Sequence, residues 1–412
     1  MVKTSSVVAF FAIVLLSWYG IHAVAGLLLG VPLYASIFLC VALIPFILLL
    51  VRNGVGSLVE WKILPALLIW LVYTSFFLFH AKQFPGIASQ LGLLNTQFFV
   101  AQTLESIVIT AVFRKEIVDM ELFLYRLYVT VSLLSVLVLL ILLAKFGFGF
   151  IFQEAFVFGA GVSLITYSYN SVFVCILGFY LITKMGVKLN KRKTIVVWSF
   201  FIFSIIALMV MGKRGALLSL VFPMLSYFFF KRLSVQRAIL YLTVATVAYF
   251  VVVANIESIF DLLSIFSNRL AEQCRLAYYT GDTNGRDFIW GVALEQFDRN
   301  RMFGYFPRII DINVGAFFYG IHPHNYYLES LMTMGLVGSI PFFGYMIYIL
   351  LFKYYKAVKS RSPYTFWALL FVSELIHGIF SSPLNSSIIW VSIFVLSRYT
   401  PAKSNNYPKS YS

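Results

Sequence analysis

The chain has 412 residues, of which 61% are hydrophobic and 11% charged, and its formal net charge is +15. Soluble domains are about a quarter charged, so this composition excludes an ordinary globular protein and fits a chain dissolved mostly in lipid. Lys and Arg stand in short clusters between apolar runs instead of one polar patch, which argues against nucleic acid as a partner.

A bilayer crossing needs about 20 apolar residues. In chain order, such stretches lie near 6–29, 32–51, 63–80, 93–113, 122–144, 165–183, 194–211, 215–230, 237–254, 330–352, 364–380 and 384–398. The first follows Lys3 and contains Ala23-Val24-Ala25, a pattern compatible with a cleaved signal peptide. Its apolar run continues to Leu29 and another follows at once, which favours an uncleaved span. The expected fold is an all-α polytopic membrane protein with about 12 transmembrane helices. Cys40 and Cys175 fall in apolar runs and Cys274 in a polar stretch, so the sequence shows neither a disulfide framework nor metal-ligand spacing.

Orientation follows from the placement of charge. With the N-terminus inside, Lys184, Lys188, Lys191, Arg192 and Lys193 fall on the cytoplasmic side, as do Lys353, Lys356, Lys359 and Arg361. Both termini are then cytoplasmic. Residues 1–254 carry nine spans, 255–329 form one large periplasmic loop, 330–398 carry three spans, and 399–412 are a cytoplasmic tail. Within the loop, 256–275 places Ile259, Leu262, Leu263, Phe266 and Leu270 at helical spacing with charges opposite, as in a helix lying on a membrane surface. A second helix is expected over 287–297. Loops of this length are usually functional.

Three polar constellations fall on the outer side. Lys213-Arg214, flanked by Gly212 and Gly215, fills the tight turn after the seventh span, against the positive-inside trend. An anionic ligand would account for it, with glycines letting backbone amides approach; snorkelling to lipid headgroups is the bland alternative. Arg286 follows Gly281-Asp282-Thr283-Asn284-Gly285 at the start of a helix, where its planar fork could hold a phosphate. A surface ion pair with Asp282 is the competing reading. In His322-Pro323-His324-Asn325, Pro323 biases His322 away from helix and Asn325 is a natural N-cap. His324 then sits just outside a helix N-terminus, whose dipole disfavours imidazolium and suits a general base. Capping and interfacial placement alone could also explain the pair, whereas a metal site lacks a third ligand at suitable spacing.

The run His324-Asn325, nine residues, Gly335-Leu336-Val337-Gly338 resembles the signature of bacterial O-antigen ligases and the related Wzy-type O-antigen polymerases. Gly212-Lys213-Arg214-Gly215 resembles the upstream Arg-Gly motif of that superfamily, with Lys213 where Ser is frequent. Gly285-Arg286 with Trp290, and then Gly304, resemble its large outer loop. The likeness covers the second half of the chain; the first half matches only in being apolar.

The resemblance implies a metal-independent, inverting glycosyltransferase of the GT-C type, without a cofactor, in the bacterial inner membrane. Its donor would be an undecaprenyl-diphosphate-linked oligosaccharide held at the periplasmic face. By the same resemblance Arg214 and Arg286 are diphosphate contacts and His324 the base, with Lys213, His322 and Asn325 as further substrate contacts. Polymerase and ligase share these motifs. The Phe-, Tyr- and Ile-rich composition tilts the reading to an O-antigen polymerase working with a chain-length regulator protein. A lipid-linked glycan transporter or flippase is the rival from another class. Transporters place ionisable groups at mid-membrane, whereas here Glu105 and Glu374 are the main charges within spans.

Overall fold

The computed structural model of the protein describes residues 4–30, 35–54, 58, 60–113, 118–147, 164–185, 189–211, 213–231, 243, 250–266, 268–281, 285–310, 319–360, 362–381 and 387–400. The first half contains α1 (Thr4–Leu16), α2 (Trp18–Leu29), α3 (Ala35–Asn53), α4 (Leu64–Gln83), α5 (Pro85–Gln90), α6 (Thr96–Val112), α7 (Met120–Phe146) and α8 (Leu164–Tyr180). The second half contains α9 (Lys191–Met211), α10 (Arg214–Lys231), α11 (Ile256–Phe266), α12 (Asn268–Thr280), α13 (Arg286–Asp298), α14 (Tyr326–Tyr348), α15 (Tyr355–Lys359), α16 (Tyr364–Phe380) and α17 (Ser387–Arg398). A short antiparallel pair, β1 (Ile309–Ile310) and β2 (Tyr319–Ile321), interrupts the helices before α14.

Among the described residues five helical segments are long and apolar enough to cross a membrane, or six if α1 and α2 count as one. Shorter apolar helices include α6, α10, α16 and α17. The protein is thus a multi-pass membrane protein. The ninth expected span, 237–254, lies largely outside the described residues.

Three expectations need correction. The first span is not one rod: α1 and α2 meet at Ser17 with a bend of 62°. The helix expected over 256–275 is two helices, α11 and α12, folded back on each other. Arg275 Nη2 reaches Glu257 Oε2 at 2.7 Å and the Tyr279 hydroxyl donates to Glu257 Oε1 at 2.6 Å. The tenth span, which begins behind the expected Asn325 cap, is not continuous but breaks at Gly335, whose φ of 58° is left-handed.

The lipid-facing character of the bundle shows on α7. Leu133, Leu137 and Leu140, at helical spacing, are exposed, while Leu127, Val131, Val138 and Leu142 are buried. With no hydrophobic drive between helices in lipid, close packing and polar contacts must hold the bundle. Trp70 of α4 meets Trp390 of α17 at 4.5 Å between centroids and donates from Nε1 to Thr103 Oγ1 of α6 at 2.6 Å. Gly178 of α8 lets Tyr128 and Phe201 close in, since a Cβ there would lie 2.9 Å from the Tyr128 hydroxyl.

The bundle has two chemically distinct ends. At one end Arg398 pairs with Glu60 at 2.7 Å and donates to the Thr110 carbonyl at 2.9 Å. Lys353 donates there to the carbonyls of Ser397 and Tyr399. α10 runs from Arg214 towards that end, where Ser226 meets Tyr354. α14 likewise starts beside His324 and continues through Lys353. Arg214 and His324 therefore mark the opposite end.

Candidate functional site

α14 starts where it does because Asn325 caps it. The Asn325 side-chain oxygen accepts from the Tyr327 and Leu328 amides at 3.0 and 3.2 Å, satisfying two otherwise orphaned donors. His324 immediately precedes the cap with φ 51°, and among the described residues it is the single non-glycine at positive φ. That backbone costs on the order of 1 kcal/mol and persists only where the surroundings impose it, a pattern concentrated at functional sites. Trp290 of α13 supplies one restraint, its Nε1 donating to the Pro323 carbonyl at 3.0 Å.

The chain leading into the histidines is anchored deep in the protein. β2 pairs with β1, and Gln296 of α13 locks β1 in place. The Gln296 amide donates to the Phe306 and Arg308 carbonyls at 3.0 and 2.7 Å, and its oxygen accepts from the Ile310 amide at 2.9 Å. Arg308 Nη1 meets Glu329 Oε1 at 2.8 Å, both side chains almost fully buried. Removing one partner of such a pair costs about 3–5 kcal/mol, because the other charge is left in low dielectric.

The Gly335 break belongs to the same scaffold. Freed from helical bonding, the Leu336 and Val337 amides donate to the Arg301 and Met302 carbonyls at 2.8 and 3.0 Å, while the Tyr305 amide donates to the Met332 carbonyl at 2.6 Å. A Cβ on Gly335 would stand 2.4 Å from the Met302 carbonyl, and one on Gly304 2.5 Å from that of Thr333. The two glycines let two backbones touch, a requirement no side-chain-bearing residue meets.

Around this frame the charged groups converge. Arg214 is the first residue of α10, and its Nη1 donates to the Gln273 carbonyl of α12 at 2.9 Å. Arg286 opens α13 behind Gly285, whose φ of 73° turns the chain into the helix. Its guanidinium lies 5.9 Å from the centre of the Phe380 ring. Desolvation pushes the Arg286 pKa down, Tyr169 opposes that shift, and the nearby Arg214 charge adds to it. A guanidinium remains charged under such a shift. Neither Arg214 nor Arg286 has a carboxylate at ion-pair distance among the described residues; Asp282 lies outside them.

His324 opens to solvent on one side and is set among protein atoms on the other. Partial burial lowers its pKa from the ordinary 6.5, and the charges of His322 and Arg286 lower it further, against a smaller upward pull from Glu329. The ring is neutral near pH 7 and can accept a proton. His322 Nδ1 stands 3.9 Å from Glu329 Oε2, on the side of the buried ion pair.

Arg214, Arg286, His322 and His324 thus form one cluster. Asn325 serves as cap and positions His324, its side-chain oxygen already committed. Lys213 supplies the carbonyl that accepts from the Leu217 amide at 3.1 Å, and its side chain is half-buried beside Arg214. Sequence reasoning missed Tyr169, His377 and Phe380, which line the same region from α8 and α16. An i, i+3 pair of ionisable residues, Glu374 and His377, on an apolar helix was the available signal. A groove of about 860 Å³ between α1 and α7, lined by Phe10, Asp119 and Arg126 among others, shares no residue with the cluster.

Residues 199–343 match the family model described as O-Antigen ligase. The matched segment runs from α9 into α14 and includes every member of the cluster named from sequence. No curated protein matches the chain.

Proposed function

We propose, from the O-antigen ligase and Wzy-type superfamily to which this chain belongs through residues 199–343, that it is a glycosyltransferase of surface-polysaccharide assembly. Its donor is an undecaprenyl-diphosphate-linked oligosaccharide, bound at the periplasmic face of the inner membrane. The observation that carries the reading is the pair Arg214 and Arg286, neither with a carboxylate partner among the described residues and Arg286 partly desolvated, beside a histidine at a helix start whose pKa is lowered by burial.

The chemistry follows from those groups. His324 takes the proton from an acceptor sugar hydroxyl as its oxygen attacks the anomeric carbon. The bond from that carbon to the diphosphate oxygen breaks, the diphosphate leaves with the electron pair, and the centre inverts. Fixed guanidinium donors stabilise the charge that grows on the leaving group, a role a metal ion plays elsewhere.

Within this class we assign the protein as the polymerase, whose acceptor is a second lipid-linked repeat. A lipopolysaccharide gel from a null strain tests this. Core carrying a single repeat supports the polymerase, and bare core with accumulated lipid-linked polymer indicates the ligase. Failure of lipid-linked precursor to reach the outer leaflet indicates a flippase.

Sidedness is tested separately by thiol labelling in spheroplasts. Cys274 is a poor reporter, being half-buried with its thiol pKa raised by desolvation. Glu272→Cys is exposed and should label with an impermeant reagent, whereas Lys191→Cys should not; the reverse pattern overturns the orientation.

A further inference from the structure

We infer that the Tyr169 hydroxyl is a third donor to the anionic ligand of Arg214 and Arg286, held in place by His377 and Glu374. This rests on the reading of the two arginines as diphosphate contacts and extends it to residues that the sequence motifs do not include.

Three helices bring these groups together. Tyr169 of α8 lies face to face with the imidazole of His377 on α16, with ring centroids 3.3 Å apart and planes inclined by 22°. His377 Nδ1 stands 3.4 Å from Glu374 Oε2, one turn earlier, and both side chains are nearly buried. The Tyr169 oxygen lies over Gly215 of α10, where an added Cβ would approach it to 2.7 Å. The same Cβ would meet Phe380 Cβ at 2.8 Å, and Phe380 is the ring under Arg286. Gly215 is therefore the space that seats the phenol oxygen against α10, one residue after Arg214, and the glycine of the Arg-Gly pair has a local reason.

The chemistry of that position is restrictive. A guanidinium offers five donors and no acceptor, so neither arginine can receive the phenol proton. Among the described residues no protein group accepts a hydrogen bond from Tyr169. The phenol lies in the fields of both the Glu374 carboxylate and the Arg286 guanidinium, and an O–H that finds no acceptor among the described residues calls for a ligand rich in lone pairs, which phosphate oxygens provide. Ionisable residues near the end of an apolar helix are expensive unless they serve a function. Glu374 and His377 meet that condition by fixing each other and, through the stack, the angle of the phenol. A carboxylate beside one imidazole nitrogen sets the tautomer and the ring plane. Tyr169 is the contact; His377 and Glu374 are positioning residues.

The test is binding of undecaprenyl diphosphate and of undecaprenol to the purified full-length protein in detergent, with Arg286→Lys as the internal control. Tyr169→Phe keeps the ring on His377 and removes one oxygen. It should weaken undecaprenyl diphosphate binding by roughly ten- to hundredfold, the range for one hydrogen bond to a charged group, and leave undecaprenol binding and thermal stability unchanged. Glu374→Gln should give the same selective loss to a smaller degree, and a Glu374→Gln protein that binds like wild type removes the positioning pair. If Tyr169→Phe binds the diphosphate normally while Arg286→Lys does not, the inference fails and the arginine reading stands. If the wild-type protein prefers undecaprenyl diphosphate no more than undecaprenol, both fall.

Discussion

The arginines at the two ends of the bundle have the same side chain and opposite environments. Arg398 is saturated: two nitrogens meet Glu60 and a third atom donates to the Thr110 carbonyl. Arg308, although at the cluster end beside His322, is likewise closed by Glu329. Arg214 instead gives one bond to a backbone carbonyl, and Arg286 rests on a ring face. A partly buried cation without a counter-ion is costly, so under the proposed function Arg214 and Arg286, which have no carboxylate partner among the described residues, are the ligand contacts, while Arg308 and Arg398 are structural. The comparison separates two meanings of a partly buried arginine that composition cannot separate.

The sharpest way to break this contrast is at the base. His324→Ala should reduce transfer by on the order of 10²–10⁴-fold, the usual cost of losing a general base, at normal membrane abundance. His322→Ala should be milder. Purified His324→Ala extending lipid-linked glycan at a near-normal rate would end the assignment; reduced abundance alone would point to a capping role.

The arginines come next. Arg214→Lys and Arg286→Lys keep charge but lose the planar fork, and each should cost roughly tenfold or more in donor affinity. Normal polymer from both would make them lipid anchors. At the other end Arg398→Ala should cost on the order of 1–3 kcal/mol in stability by leaving Glu60 unpaired. The activity of the folded fraction should not change, as thermal melts and specific activities would show.

The smallest effect is in the pH profile. A base must be neutral, so activity rises as pH climbs through the pKa of His324. That pKa is depressed, which places the acid limb below pH 6.5. The His322 charge contributes to the depression, so His322→Asn should move the limb upward. A limb unmoved by that change, or one lying above 6.5 in wild type, would detach His324 from the rate.

Much of the fold was legible because lipid imposes a simple grammar. Apolar length and basic clusters located most helices, and Asn325 announced the start of α14 in its own residue type. The break at Gly335 was not legible as a break. Its spacing from His324 was visible, but the reason for it is the backbone of Met302 and Gly304, far earlier in the chain, that packs against it. The fold-back of α11 on α12 was hidden for a similar reason, since a single amphipathic stripe fits one surface helix or two paired ones.

The sequence by itself determined that this chain lives in a membrane, which segments are apolar, and which few polar residues stand at helix starts. Those properties are local: periodicity, charge placement and capping act within a few residues. Only the tertiary structure brings Arg214, Arg286 and His324 into one cluster, closes Arg308 and Arg398 in ion pairs, and adds Tyr169 and His377 from helices the motifs never touch. Proximity between α8, α10, α13 and α16 is set by how their faces pack, and desolvation, which gives an unpaired arginine its meaning, exists only once they have packed.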